Sequence, residues 1–185
     1  VIVLALGLFI FLGIHFIPVF PGIKSALQSR LGAGLYKAGF AILSLAGFAL
    51  IIYGKIIAHP PQILWTPPDW SRHLAFTLVP VAIVLIVSAY APGHIRRWVR
   101  HPMLAGTALW AFAHLMANGE AASVLLFGAF LFWSVATFIL ALFRESPPPI
   151  VKGWGGDLTA IVLGVLAALI IMNLHMYLFG VAIIG

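Results

Sequence analysis

Seven histidines stand among only four carboxylates in this chain of 185 residues, and they are the side chains best equipped for chemistry. His15, His114 and His175 fall inside apolar runs, whereas His59, His73, His94 and His101 fall in or beside loops. A polar ring in hydrocarbon is costly unless it is paired or bound, which makes the three deep histidines functional candidates. The loop histidines suit solvent or lipid headgroups. Two neutral imidazoles on facing helices, with an apolar slot between them, are what axial ligation of a b-type haem requires. The chain has 14 phenylalanines to line such a slot. The plainer alternative for each deep ring is an interhelical hydrogen bond worth about 1 kcal/mol.

Asp69, Glu120, Glu145 and Asp157 all lie at loops or helix ends. No pair of carboxylates is placed for acid/base work or a proton relay, and no catalytic residue is assigned. Cysteine is absent, which excludes disulfides, thiolate zinc sites, cysteine-ligated iron–sulfur clusters and covalent c-type haem. The sequence contains no Walker loop, G-x-G-x-x-G, G-x-S-x-G or H-E-x-x-H. Its most specific stretch is RHPMLAGTALWAFAHLMANG, from Arg100 to Gly119. Pro102 suits the first position of a helix. His101 and His114 are 13 residues apart, about 220° around a helix and about 20 Å along it, so a straight helix cannot bring both to one metal. Ala111 leaves room for a flat ring near His114, whereas Phe11 and Leu12 fill the turn before His15, and Gly7 is the nearest glycine on its side.

The elements that must position these residues are membrane-spanning helices. With 63% hydrophobic residues, 8% charged residues and a mean hydropathy of +1.15, the chain is far from the roughly one-quarter charged composition of soluble domains. It reads as a single all-α integral membrane domain over 1–185, a bundle of about six spans. The apolar segments run over 1–20, 33–57, 73–90, 102–117, 121–143 and 157–184. The first reads as a retained span, because no basic n-region or small-residue cleavage site accompanies it. Between the segments lie PVFPG at 18–22, HPPQILWTPPDW at 59–70, APGH at 91–94, NGE at 118–120, SPPP at 146–149 and GWGG at 153–156. The short NGE link predicts an antiparallel hairpin of the fourth and fifth segments. Trp65, Trp70, Trp98, Trp154 and Tyr90 fall at segment ends, where aromatic belts form. Gly106 and Ala113, seven apart, offer a small-residue face for a homodimer.

The +6 formal charge is a topology signal here and not a sign of nucleic-acid binding. Lys24, Arg30, Lys37, Arg96, Arg97, Arg100, Arg144 and Lys152 flank the odd loops, against Lys55 and Arg72 at the even ones. That imbalance puts the odd loops in the cytoplasm and both termini outside, in the periplasm of a bacterial inner membrane. On this topology His15, His114 and His175 lie about 10, 20 and 27 Å from the cytoplasmic side.

FLGIHFIPVFPG, RHPMLAGTALWAFAHLMANG and LHMYLFG together resemble the NnrU family of bacterial membrane proteins over essentially the whole chain. The resemblance implies an association with denitrification and nitric oxide metabolism. That family is similar to the 15-cis-ζ-carotene isomerases, integral membrane b-haem proteins with histidine axial ligands. Carried over, the resemblance makes His15 and His114 the ligands of a haem b iron, with His101 as a supporting residue; the depth count keeps His175, with His101, as a reserve ligand. It implies an apolar polyene or nitric oxide as the small-molecule partner, beside membrane lipid. The isomerases place a cysteine near the second ligand, and this chain has none. R-H-P before a small-residue helix also resembles S-adenosylmethionine-dependent membrane methyltransferases, whose acidic R…E-E segment has only Arg144-Glu145 as a counterpart. A cofactor-free assembly factor of a respiratory complex is the remaining alternative.

Overall fold

The computed structural model describes residues 1–144, 150, 151, 153–181 and 183, and among these it is all-helical. Helix α1 spans Ile2–Phe16, α2 Pro21–Ile56, α3 Trp70–Ser88, α4 His94–Val99, α5 Pro102–Ala117, α6 Ala121–Leu142 and α7 Gly155–Phe179, with a 3-10 turn at Ile17–Val19. Five of these, α1, α2, α3, α6 and α7, are long and apolar enough to cross a membrane, and the 16-residue α5 is a sixth, shorter apolar helix. The expected count of about six therefore holds. The end of the last segment, Glu145, the SPPP stretch and Lys152 lie at least partly outside the described residues.

Two features differ most from the sequence reading. Helix α2 begins at Pro21, twelve residues before the expected start at 33, because Pro21 stands at the first helical position, where a missing N–H costs nothing. The helix breaks at Gly32, whose φ of 78° and ψ of 153° only glycine adopts readily. Residues 21–31 thus form a separate helical arm. The other unforeseen element is α4, a short helix between α3 and α5.

In the order α2, α1, α6, α5, α3, α7, each helix packs on the next. Apolar attraction does not drive helices together in lipid, so close approach and dispersion must. Glycines provide that approach. A Cβ on Gly7 would lie 2.6 Å from the Ile51 nitrogen, and one on Gly47 would lie 2.8 Å from the Phe11 nitrogen. Leu4 meets Gly54 at one end of this contact and His15 meets Phe40 at the other, so α1 and α2 are antiparallel. Leu4, Leu8 and Leu12 recur every four residues along the buried stripe of α1 and pack on α6 and Ile51.

The hairpin of α5 and α6 is antiparallel as expected, with His114 against Phe127 and His101 against Phe138. Its NGE link is held by the preceding loop: Leu64 N–H donates to the Gly119 carbonyl at 2.8 Å, and Ala121 N–H to that of Gln62 at 2.8 Å. The expected dimer face does not survive. Gly106 is packed on Ala82 and Ile86 of α3, and Ala113 is fully buried, so those positions serve packing within the chain.

Candidate functional site

His15 and His114 are held in the same way. His15 Nδ1 lies 2.6 Å from the Phe11 carbonyl, and His114 Nδ1 lies 2.9 Å from the Trp110 carbonyl, one helical turn earlier in each case. A carbonyl only accepts, so each Nδ1 is the donor, and in the neutral ring Nε2 is left with its lone pair. A neutral ring with Nδ1 tied to the main chain is the form in which histidine ligates a metal through Nε2.

Aromatic rings enclose both. His15 meets Phe11 at 4.3 Å, Phe40 at 5.1 Å and Trp133 at 6.1 Å between centroids. His114 meets Phe127 at 4.8 Å and Trp110 at 5.1 Å. Phe130 of α6 joins the two groups, 5.9 Å from Phe11 and 5.7 Å from Trp110. One face of α6 therefore floors both walls, α1 carrying His15 and α5 carrying His114. The levels differ: His15 contacts Trp133 and His114 contacts Phe127, six residues apart on α6, or about 9 Å along its axis. No ring contact joins the two histidines among the described residues.

The reserve residues sit elsewhere. His101 precedes the first turn of α5 and meets the edge of Phe138 at 6.0 Å. His175, beside Phe179, has Nδ1 2.9 Å from the Val181 carbonyl. Ala111 is fully buried, and Gly7 is taken up by the contact with α2. No group of three or more His, Cys, Asp or Glu among the described residues is arranged for a metal ion. A porphyrin iron brings its own equatorial nitrogens and needs one or two histidines, so the donor chemistry suits haem better than a bare ion.

The surroundings of His15 provide a second check on fit. The Trp133 indole N–H, the Tyr36 hydroxyl and the Thr137 hydroxyl are buried without a hydrogen-bond partner. Trp133 touches His15, and Tyr36 lies 6.4 Å from Phe40, which touches it too. Buried donors without acceptors cost about 1–3 kcal/mol each. A bound group with a carboxylate or carbonyl oxygen beside Trp133 would give its indole N–H an acceptor, and haem carries two carboxylates.

The family model for NnrU protein matches residues 3–183. The chain belongs to the NnrU family. No curated protein and no solved structure matches it.

Sequence reasoning set aside one cluster that the NnrU chain builds with care. Asp157, almost fully buried at the start of α7, accepts from the His94 N–H at 2.9 Å, the Ile95 N–H at 2.8 Å and His94 Nδ1 at 2.8 Å. A carboxylate from one helix thus caps another. The His94 ring stacks on Trp154 at 4.0 Å. Gly93 and Gly156 allow the two backbones to approach this closely, and that glycine pair was the available signal in APGH and GWGG. Beside this clamp, Ala89, Arg96, Arg100, His101, Pro102, Met103 and Leu104 line a cavity of about 170 Å³. At the opposite end of the bundle, Lys55 donates to Glu120 at 2.7 Å and to Ser123 at 2.9 Å, tying α2 to α6. The Lys55 ammonium holds the Glu120 carboxyl below the usual carboxylate range.

Proposed function

We infer that this NnrU protein is an integral membrane b-type haem protein that works in nitric oxide or denitrification metabolism, with His15 and His114 as the iron ligands. The observation that carries this reading is the matched anchoring of the two rings. Each deep histidine is fixed by its own helix backbone, offers Nε2, and stands in aromatic surroundings on the same face of α6. The unpartnered donors at Trp133 and Tyr36 add acceptor demand beside one of them. A haem would supply an iron that takes a diatomic ligand at a displaceable axial position.

The chain's own residues account for the rest. Phe11, Phe40, Phe127 and Phe130 give the two half-buried rings apolar surroundings. The carbonyls of Phe11 and Trp110 fix ring orientation and raise the basicity of each Nε2. Carotenoid isomerisation remains the neighbouring activity that the family resemblance suggests.

The test is an absorption spectrum of the detergent-purified protein, oxidised and dithionite-reduced, beside His15→Ala and His114→Ala. A Soret band with sharp reduced α and β bands, altered in both variants, supports the reading. A colourless protein that takes up no added haemin would sink it, and would favour an assembly role without a cofactor.

A further inference from the structure

The cavity beside α4 has no part in the haem reading, and its chemistry is of one sign. Arg96 and Arg100 stand one turn apart, His101 follows, and the α5 helix opens into the same space with Met103 and Leu104. Pro102 has no N–H, and the first intrahelical bond of α5 comes from Ala105 to the His101 carbonyl at 3.1 Å. The amides of Met103 and Leu104 are therefore first-turn donors without helical acceptors.

Backbone strain holds this arrangement. Arg100 has φ 63° and ψ −50°, and the His101 N–H donates to the Val99 carbonyl at 2.7 Å across it. This is a γ-turn of the rare positive-φ kind, with an arginine where glycine would sit without strain. Residues are kept in such conformations where the surrounding structure over-determines them, often at ligand clamps. Asp157 supplies part of that constraint by fixing the start of α4. The only ion pairs among the described residues are Lys55 with Glu120 and His94 with Asp157, so neither takes up Arg96 or Arg100. Exposed Tyr90, Trp98 and Trp154 ring this end of the bundle and mark the headgroup level.

We propose that the Arg96–Arg100–His101 cavity binds a phosphate group at the membrane boundary, carried by an anionic phospholipid. Two guanidinium groups and free main-chain amides match the oxygens of a phosphodiester. The 170 Å³ cavity admits a phosphate and leaves the acyl chains to run along the exposed apolar faces of the helices.

Native mass spectrometry of the full chain, taken from phosphatidylcholine nanodiscs doped with phosphatidylglycerol, tests this without reference to haem. The wild type should retain phosphatidylglycerol over phosphatidylcholine, and Arg96→Gln with Arg100→Gln should lower that retention by about tenfold. Arg97→Gln, which lies outside the cavity, should leave it unchanged. Displacement of the lipid by inorganic phosphate would keep the phosphate site and assign it a soluble occupant. Arg100→Gly guards against misfolding of the double variant: it relieves the positive φ, so it should lower retention while the thermal midpoint holds or rises. Full retention in Arg100→Gly, or equal loss in Arg97→Gln, would overturn the proposal.

Discussion

His15 and His114 share an anchoring bond and an aromatic floor on α6, and differ in the polar groups around them. The His15 side, built from α1, α2 and α6, is packed through glycine against backbone and contains buried donors with no acceptor. The His114 side, built from α5 and α6, is an aromatic stack of Trp110, Phe127 and Phe130, with its polar Asn118 amide satisfied by the His114 carbonyl at 2.8 Å. An imidazole tied to its own helix is therefore common to both sides, and unmet hydrogen-bonding demand belongs to one. A group held between the two rings would meet unpartnered donors on the His15 side.

The largest effects should come from removing the rings themselves. His15→Ala and His114→Ala should each replace the sharp reduced α and β bands with the broad spectrum of a one-histidine iron, and the double variant should be colourless. Spectra of detergent-purified protein decide this. If one single variant leaves the bands intact while His175→Ala removes them, His175 replaces that histidine as a ligand, and the comparison must be redrawn around α7.

Next in size is a change confined to the His15 side. Gly7→Ala places a methyl 2.6 Å from the Ile51 nitrogen and 2.8 Å from the Leu50 carbonyl carbon, both backbone atoms that cannot swing aside. Overpacking of this kind costs about 1–3 kcal/mol. The thermal midpoint in detergent should fall, and the altered seat of α1 should shift the His15 ring while the aromatic cluster at His114 stays in place. An unchanged midpoint would mean that α1 and α2 do not touch as closely as these contacts require.

Much of this was legible in the sequence, for physical reasons. Long apolar runs between Pro- and Gly-rich links read as spans, and five helices are long and apolar enough to cross a membrane. The deep histidines were conspicuous because hydrocarbon makes any polar ring expensive. Depth counting along the chain already separated His15 from His114 by about 10 Å, and their contacts with Trp133 and Phe127 reproduce that offset on α6. What stayed hidden depends on partners distant in sequence. Asp157 reads as an ordinary helix-end carboxylate until α7 brings it to His94, 63 residues earlier. Gly106 and Ala113 look like an open face until α3 covers Gly106. Arg100 carries no sign in its residue type that its φ is positive.

A smaller effect sharpens the comparison at one atom. Trp133→Phe keeps the ring against His15 and removes the unpartnered indole N–H. With nothing bound, loss of an unsatisfied donor should be neutral or slightly stabilising. With a carboxylate-bearing group in place, the same change should weaken its retention by about three- to tenfold, the loss of one hydrogen bond to a charged acceptor. Haem transfer to apomyoglobin from wild type and variant measures that ratio, and Phe127→Leu on the other side supplies a change that removes no donor. Equal transfer rates for Trp133→Phe and wild type would remove the asymmetry between the two sides.

The smallest effect concerns the clasp that ties the His15 side to α6 at the far end of the bundle. Lys55 of α2 donates to Glu120 and Ser123, and the Glu120 carboxyl is held below its ordinary range chiefly by that hydrogen bond. A carboxyl depressed in the folded chain contributes stability that is fully present above its unfolded pKa, about 4.3. That contribution is lost as pH falls through the lower, folded value. The pair is partly exposed, with side chains 36% and 38% accessible, so its contribution belongs in the range of about 0–1 kcal/mol and weakens with salt. Denaturant midpoints should therefore be level from pH 7 to about 5 and decline below it. Glu120→Gln should lower the plateau slightly and reduce the decline, most clearly at low ionic strength. A decline just as steep in Glu120→Gln would place the acid-sensitive contact at the His94–Asp157 clamp, on the other side of the molecule.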